Sequence, residues 1–183
     1  MIASLTNLDL KILGWIHDTF SSGFLDRVMP WISFLGNGGM VWILAACLLL
    51  CTRRYRRSGI LLLVGLAAGA LVGNLLLKPL ISRARPSWPY PVPALLSRAP
   101  AGYSFPSGHA LSSFAAATIL ALTDRKLGAF ALPLACLIAL SRLYLYVHFP
   151  SDVLAGAILG AVIGGFVYWF GKRISRNGGA EKG

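Results

Sequence analysis

The chain has 183 residues, of which 56% are hydrophobic and only 13% are charged. Soluble domains carry about a quarter charged residues, so this composition argues against a soluble fold and favours a single membrane-embedded unit. The formal net charge is +11. In a soluble protein that excess would suggest nucleic acid, but beside long apolar runs it indicates anionic lipid head groups. We therefore expect the bilayer as a partner, and no nucleic acid.

The first 36 residues differ from the rest of the chain. Leu5, Leu8 and Ile12 recur at helical spacing, and Asp9 interrupts them. This pattern is typical of amphipathic helices that lie at the membrane interface. The alternative is a sixth, poorly apolar span. A Gly-Asn-Gly-Gly stretch then breaks the chain.

Five apolar runs follow this break. They cover residues 38–52, 59–81, 108–123, 127–147 and 153–171. About 20 apolar residues cross a bilayer, so the shorter runs need tilt or polar ends to span it. Gly and Ala are frequent in the second and fifth runs, where small residues let helices pack closely. The pattern predicts an all-α, polytopic membrane bundle with about five transmembrane helices, or six if the N-terminal segment also crosses.

The whole chain, residues 1–183, is predicted to form one membrane-embedded domain. Within it, residues 1–36 form the interfacial helices and residues 38–171 the transmembrane core. Residues 172–183 form a basic tail.

Lys and Arg predict the orientation in the membrane. With five spans, ten of the 17 basic residues fall on one side, which is therefore predicted to be cytoplasmic. These ten are Arg53, Arg54, Arg56, Arg57, Arg125, Lys126, Lys172, Arg173, Arg176 and Lys182. We expect a multi-pass inner or plasma membrane protein with a cytoplasmic C-terminus. The loops at 82–107 and 148–151 then face outside.

Three polar segments are predicted to share that outer side, where their charged groups can converge. They read KPLISRARP at 78–86, FPSGHA at 105–110 and SRLYLYVHFPSD at 141–152. Charged groups are costly near the membrane interior, so their convergence indicates a functional site. The three cysteines lie inside apolar runs without metal-ligand spacing. We predict a site that handles an anion, with no metal and no cofactor.

The segment at 105–110 places a helix start beside a histidine. Ser107 precedes an apolar run and is predicted to cap the helix. The free backbone N–H groups at Gly108 and His109 would then point out of the helix start, where phosphate binds. Gly108 lets an oxyanion approach the backbone. His109 stands in position for proton transfer.

The segment at 141–152 suggests an oriented histidine. Pro150 is predicted to end the fourth run, with Ser151 capping the next helix and Asp152 in its first turn. The helix dipole favours a carboxylate there, and Asp152 can fix the tautomer of His148. The other ring nitrogen is then free as a nucleophile. Arg142 lies two turns before His148, within reach of a bound phosphate.

Some of these charges have ordinary explanations. Arg83 and Arg98 are predicted to be solvated loop charges. Lys78 can extend from the end of its span to the interface. None of these explanations accounts for three segments rich in Lys, Arg, His and Asp on the same predicted side of the membrane.

The three segments resemble the signature of the type 2 phosphatidic acid phosphatase superfamily, which reads K-x6-R-P, P-S-G-H and S-R-x5-H-x3-D. Lys78 and Arg85, which a proline follows, match the first part. Residues 106–109 match the second part and residues 141–152 the third. No position departs from the pattern.

The resemblance implies a role for each matched position. His148 would be the nucleophile that forms a phosphohistidine, Asp152 would orient it, and His109 would protonate the leaving group and later activate water. The phosphate oxygens would be held by Lys78, Arg85, Ser107, Gly108 and Arg142. The resemblance also implies a helical core and a reaction without a metal.

The resemblance implies an integral membrane lipid phosphatase whose substrate is a lipid phosphate at the extracytoplasmic face. For a small enzyme of bacterial type, it implies hydrolysis of undecaprenyl pyrophosphate to undecaprenyl phosphate. Phosphatidylglycerophosphate and phosphatidic acid are the alternative substrates. From other classes, the alternatives are a vanadate-dependent haloperoxidase-like enzyme, a lipid phosphotransferase and a non-enzymatic scaffold. The oligomeric state stays open.

Overall fold

The computed structural model of the chain describes residues 2–86 and 102–180, and within those ranges it contains helices and no strand. The α-helices are α1 (Ile2–Phe20), α2 (Gly23–Leu35), α3 (Met40–Leu50), α4 (Arg56–Ala70), α5 (Lys78–Ile81), α6 (Gly108–Thr123), α7 (Arg125–Tyr144) and α8 (Pro150–Ala180). A 3₁₀ turn, Asn37–Gly39, joins α2 to α3, and a π-helical segment, Leu71–Leu77, joins α4 to α5. The all-α prediction is confirmed.

Within the described residues, three helical stretches are long and apolar enough to cross a membrane: Arg56–Ile81, Arg125–Tyr144 and Pro150–Ile174. The bundle has a fourth membrane span if α2 and α3, which meet at a bend of 47°, together form one broken span. α6 is apolar but has only 16 residues, about 24 Å of helix. The polytopic bundle is therefore confirmed. The predicted count of five spans is reached only if the bent pair and α6 both cross.

α6 lies at the centre of the bundle, against α4, α7 and α8. Three glycines of α8, Gly156, Gly160 and Gly164, face its backbone. A Cβ added at Gly160 would lie 2.3 Å from the carbonyl oxygen of Leu111, closer than real Cβ contacts come. The prediction that small residues allow close helix packing is confirmed here, because these glycines bring the backbones of α6 and α8 into contact.

The main apolar core forms where α3, α4, α6 and α7 meet. Trp42, Leu62, Ile119 and Ile138 are all buried there. The indole N–H of Trp42 donates to Ser113 Oγ at 2.9 Å, which satisfies its one buried donor. This core fixes the body of α6, while the N-terminal end of the helix points toward the polar segments.

α1 is not among the described helices that are long and apolar enough to cross a membrane. One face packs on the bundle, where Leu13 is fully buried beside Phe149. On the other face, Leu8 and Trp15 are 54% and 60% exposed. α1 is therefore amphipathic, as predicted, but the face that packs on the protein also carries Asp9, which is buried.

At the other end of the chain, α8 extends to Ala180 and so includes most of the residues predicted to form the basic tail.

Candidate active site

A cavity of about 510 Å³ opens between α2, α4, the π-helical segment and the start of α6. Its lining includes six of the eight residues that the sequence indicated: Lys78, Arg85, Gly108, His109, Arg142 and His148. The other two, Ser107 and Asp152, are fully buried and are adjacent to lining residues. The structure therefore brings all three segments to one place.

Ser107 caps α6, as predicted. Its side-chain oxygen accepts the Ala110 N–H at 3.5 Å, and its backbone is extended, as at most N-caps. Its own N–H donates to the Asp152 carbonyl oxygen at 3.0 Å. The second and third segments are thus joined directly through the backbone.

The π-helical segment and the first residue of α5 bring two polar side chains to the start of α6. A Cβ added at Gly108 would lie 3.4 Å from Asn74 Oδ1 and 3.8 Å from Lys78 Nζ. The Lys78 ammonium group therefore lies beside a helix N-terminus, a combination that favours anions. π-helical turns are frequent at functional sites. Sequence reasoning missed Asn74, whose one signal was a lone amide in an apolar run.

His148 lies in the turn between α7 and α8 and is buried. Arg85 Nη1 is 3.2 Å from His148 Nε2. A guanidinium can only donate, so this hydrogen bond requires the lone pair on Nε2 and the proton on Nδ1. Nδ1 faces Asp152 Oδ2 at 3.7 Å, within ion-pair range but longer than a hydrogen bond. The nitrogen with the lone pair is therefore the one beside Arg85.

Burial lowers the pKa of His148 to about 4. The Asp152 carboxylate opposes this shift, and the charges of Arg85 and Arg142 add to it. The imidazole of His148 is therefore uncharged at neutral pH, which is the state that keeps a lone pair for attack.

Arg85 is held in a single orientation. Its Nε donates to the Gly102 carbonyl at 2.9 Å, and its Nη2 donates to the Tyr103 carbonyl at 3.1 Å. Nη1 donates to the carbonyl oxygen of Val147 at 2.7 Å as well as contacting His148. A charged group fixed in this way before substrate binds can stabilise developing charge without having to reorganise.

Arg142 projects from the last turn of α7 and is buried, with Nη1 donating to Ser33 Oγ of α2. Among residues 2–86 and 102–180, only two buried side-chain polar atoms lack a hydrogen-bond partner, Arg142 Nε and His148 Nδ1. Leaving a buried donor unpaired is costly. Both atoms belong to residues that line the cavity, so a bound anion could supply the partner that Arg142 lacks.

Asn37 is a further residue that sequence reasoning missed. Its Oδ1 lies 3.0 Å from His109 Nε2, and because an amide oxygen only accepts, Nε2 carries a proton in this contact. A Cβ added at Gly36 would lie 2.5 Å from Cδ2 of His109, so a glycine is needed for the turn to pack against the ring. The stretch that the sequence indicated as a chain break also holds an imidazole in place.

The predicted junction between the last two helices is wrong in part. α7 ends at Tyr144 rather than at Pro150, and Pro150 begins α8, which places Ser151 inside the first turn. Asp152 lies in that turn as predicted. Its Oδ2 accepts the Phe149 N–H at 3.0 Å, the bond that an acidic side chain in the first turn makes back to the residue before the helix, so Asp152 and not Ser151 stabilises this helix start.

Arg83 is not a solvated loop charge. Its guanidinium donates to Asp152 Oδ1 at 2.6 Å and to Asp9 Oδ2 at 2.7 Å, and the side chain is only 17% exposed. The charged group also lies 4.0 Å from the centre of the Phe149 ring. Arg98, for which the same prediction was made, lies outside the described residues.

Comparison with known proteins gives consistent matches. The model of the PAP2 superfamily matches residues 58–176. The chain is 36% identical over 140 residues to the undecaprenyl-diphosphatase of Sulfolobus acidocaldarius, covering 76% of this chain and 67% of that one. It is 30% identical over 187 residues to the lipid A 4'-phosphatase of Bacteroides thetaiotaomicron, covering 93% and 79%.

Among solved structures, the fold is similar to that of LpxE from Aquifex aeolicus. The TM-score is 0.76 at 27% sequence identity, and the match covers 87% of this chain and 94% of that one. The family match includes all three motif segments and most of the helices that carry them. The chain therefore belongs to the PAP2 superfamily of membrane lipid phosphatases, which confirms the resemblance seen in its sequence.

Proposed function

We propose that this protein hydrolyses a lipid diphosphate at the outer face of the membrane, through a phosphohistidine on His148. We further propose that undecaprenyl pyrophosphate is its substrate and undecaprenyl phosphate its product. The observation that carries the proposal is one cavity lined by two imidazoles and three cationic side chains. Phosphoryl transfer depends mostly on positioning and on charge stabilisation, and this lining supplies both.

The terminal phosphate binds first, among the cations of the cavity. Lys78, Arg85 and Arg142 neutralise its charge, and the Gly108 N–H at the start of α6 donates to one oxygen. Ser107 shapes this helix start. Binding replaces the resting contact between Arg85 and His148, which frees the lone pair on Nε2.

His148 Nε2 then attacks the phosphorus. The N–P bond forms as the bond to the bridging oxygen breaks, and His109, which enters this step as the imidazolium that the charge of the bound phosphate stabilises, gives a proton to that oxygen. Asp152 lies where it stabilises the positive charge that develops on the ring. In the second half, His109 takes a proton from water as the water oxygen attacks the phosphohistidine. Inorganic phosphate leaves and His148 is restored.

The cavity continues from this polar end to apolar side chains of α2, α4 and α6. Phe34, Leu66 and Leu111 form part of its lining, and their surfaces suit the first segment of a lipid chain. The undecaprenyl-diphosphatase from Sulfolobus acidocaldarius, at 36% identity, supports a polyprenyl diphosphate as the substrate. Phosphatidylglycerophosphate and phosphatidic acid are the competing lipids.

A substrate panel tests this proposal. Purified protein in detergent with EDTA should release phosphate from undecaprenyl pyrophosphate with a higher kcat/KM than from phosphatidylglycerophosphate or phosphatidic acid. A preference for either phospholipid would overturn the substrate and keep the phosphatase. Phosphate transfer to an added alcohol in place of water would indicate a phosphotransferase. Halide oxidation with added vanadate, without phosphate release, would indicate the haloperoxidase class.

The membrane face is tested separately by cysteine labelling. The native Cys47, Cys51 and Cys136 are exposed, so they are first replaced by alanine. In intact cells, a membrane-impermeant thiol reagent should label an Ala84→Cys variant, whose position is exposed at the site end of the bundle. It should not label Thr52→Cys, which is exposed at the predicted cytoplasmic end. Labelling of Thr52→Cys alone would place the site on the cytoplasmic face.

A further inference from the structure

Three separate parts of the chain meet behind His148, in a network formed by Asp9, Arg83 and Asp152. We propose that Arg83 is a positioning residue for the reaction, which holds Asp152 through the carboxylate oxygen that does not face His148. We also propose that α1 belongs to the catalytic unit, because its Asp9 holds Arg83 in turn. Both statements rest on the proposed role of Asp152 in orienting His148.

The two oxygens of Asp152 have different partners. Oδ1 accepts Arg83 Nη1 at 2.6 Å. Oδ2 accepts the Phe149 N–H at 3.0 Å and faces His148 Nδ1 at 3.7 Å. Asp152 is fully buried, where an ionised carboxylate needs a close cation. Arg83 supplies that cation and, by engaging Oδ1, leaves Oδ2 directed at the imidazole.

Arg83 itself is held on several sides. Nη1 also donates to Ser151 Oγ at 2.7 Å, while Nη2 donates to Asp9 Oδ2 at 2.7 Å and to Thr6 Oγ1 at 3.4 Å. The guanidinium plane is further fixed by the Phe149 ring 4.0 Å away. Charge-assisted hydrogen bonds are short and directional, so these contacts leave the guanidinium one orientation.

Asp9 extends the network to the N-terminal helix. It is 2% exposed, and both its oxygens are engaged by Ser151. Oδ1 accepts the Ser151 N–H at 3.0 Å, and Oδ2 accepts the Ser151 hydroxyl at 2.5 Å. The burial of Leu13 beside Phe149, one turn further along α1, keeps this helix docked. The first turn of α8 is therefore braced by α1.

Arg83 is placed to act on Asp152 and not on the substrate. Among the described residues that line the cavity, the cations are Lys78, Arg85 and Arg142, and Arg83 is not one of them. Loss of Arg83 should therefore change the rate of phosphoenzyme formation and leave substrate affinity in place. If Arg83 had only a structural role, its substitution would lower stability but would not lower kcat while KM stayed unchanged.

The test compares Arg83→Gln and Arg83→Lys in the full-length protein, with the preferred lipid of the substrate panel. Arg83→Gln should lower kcat by about 10- to 100-fold, with KM within about twofold. Arg83→Lys should recover part of the loss, since one ammonium group can pair with Asp152 but cannot also reach Asp9. Equal kcat in wild type and Arg83→Gln would overturn the proposal.

A double-mutant cycle shows whether Arg83 works through Asp152. In an Asp152→Asn background, Arg83→Gln should cost less than about threefold in kcat, because the carboxylate that it holds is already gone. If the two losses multiply, Arg83 has a separate role and the proposal is wrong. If Asp152→Asn keeps full activity, the proposed role of Asp152 itself is wrong. The cycle therefore distinguishes failure of that role from failure of the Arg83 proposal.

The part played by α1 is tested with a matched pair of variants. Asp9→Asn should lower kcat with KM unchanged, whereas Asp18→Asn on the same helix, outside the network, should leave both as in the wild type. Thermal unfolding in the same detergent identifies any variant that fails to fold. If Arg83→Gln is such a variant, Arg83→Lys and Asp9→Asn decide the question, and wild-type kcat in both would overturn the proposal.

Discussion

Replacing His148 by asparagine is expected to reduce hydrolysis of the lipid diphosphate by about 10⁴-fold or more. Asparagine fills much of the same space, and its side-chain oxygen can still accept from Arg85. It offers no nitrogen with a lone pair for attack on phosphorus. Rapid quenching with substrate should trap an acid-labile phosphoenzyme in the wild type and none in His148→Asn.

The control for this experiment is another histidine at the same end of the bundle. His17 lies on α1 with its ring 5.8 Å from that of Tyr146, away from the cavity. His17→Asn should keep wild-type activity. Wild-type turnover by His148→Asn, or a phosphoenzyme that still forms in it, would contradict the assignment of the nucleophile.

The second large effect is expected at Gly160, where an added methyl group has no room. Its Cβ would lie 2.3 Å from the Leu111 carbonyl oxygen and 3.0 Å from the Ala115 backbone nitrogen. Both atoms belong to helix backbone, which cannot move aside as a side chain can. Gly160→Ala should therefore lower the free energy of unfolding by about 1–3 kcal/mol, measured by thermal or denaturant unfolding in detergent.

Gly165, five residues further along α8, provides the matched control. A Cβ added there meets nothing within 4 Å among the described residues. Alanine has the higher helix propensity, so Gly165→Ala should be neutral or slightly stabilising. Equal destabilisation by both variants would show that helix flexibility matters here, and not the α6–α8 contact. Gly160→Ala should also lower kcat, because α6 carries His109.

The features predicted well from sequence are those fixed by short stretches of chain. The cap at Ser107 follows from its position before an apolar run, and the place of Asp152 in a first turn follows from the proline before it. The convergence of Lys78, His109 and His148 on one cavity required only that the helices before and after each segment cross the bundle in opposite directions. Each of these depends on local geometry or on topology.

The features that sequence did not predict depend on which distant segments touch. Arg83 pairs with Asp9, which lies 74 positions away, and Asn37 contacts His109 across 72 positions. A charge in a loop and an amide in a glycine-rich turn are ordinary on their own. Only packing shows that Arg83 contacts Asp152 and that Asn37 contacts His109, two residues of the proposed site. The end of α7 was missed because the chain forms a turn of five residues before Pro150 is reached.

The backbone contact between α6 and α8 bears on one part of the cavity wall and not on the other. One part is the start of α6, with Gly108 and His109, and glycine contacts with α8 and the Ser107–Asp152 hydrogen bond fix the position of this helix. The other part presents ordinary side chains such as Phe34 and Leu66, which substitution can reshape. Lipid preference can thus diverge while the chemistry stays constant. Relatives of this chain are named for lipids as different as undecaprenyl diphosphate and lipid A, as such divergence would allow.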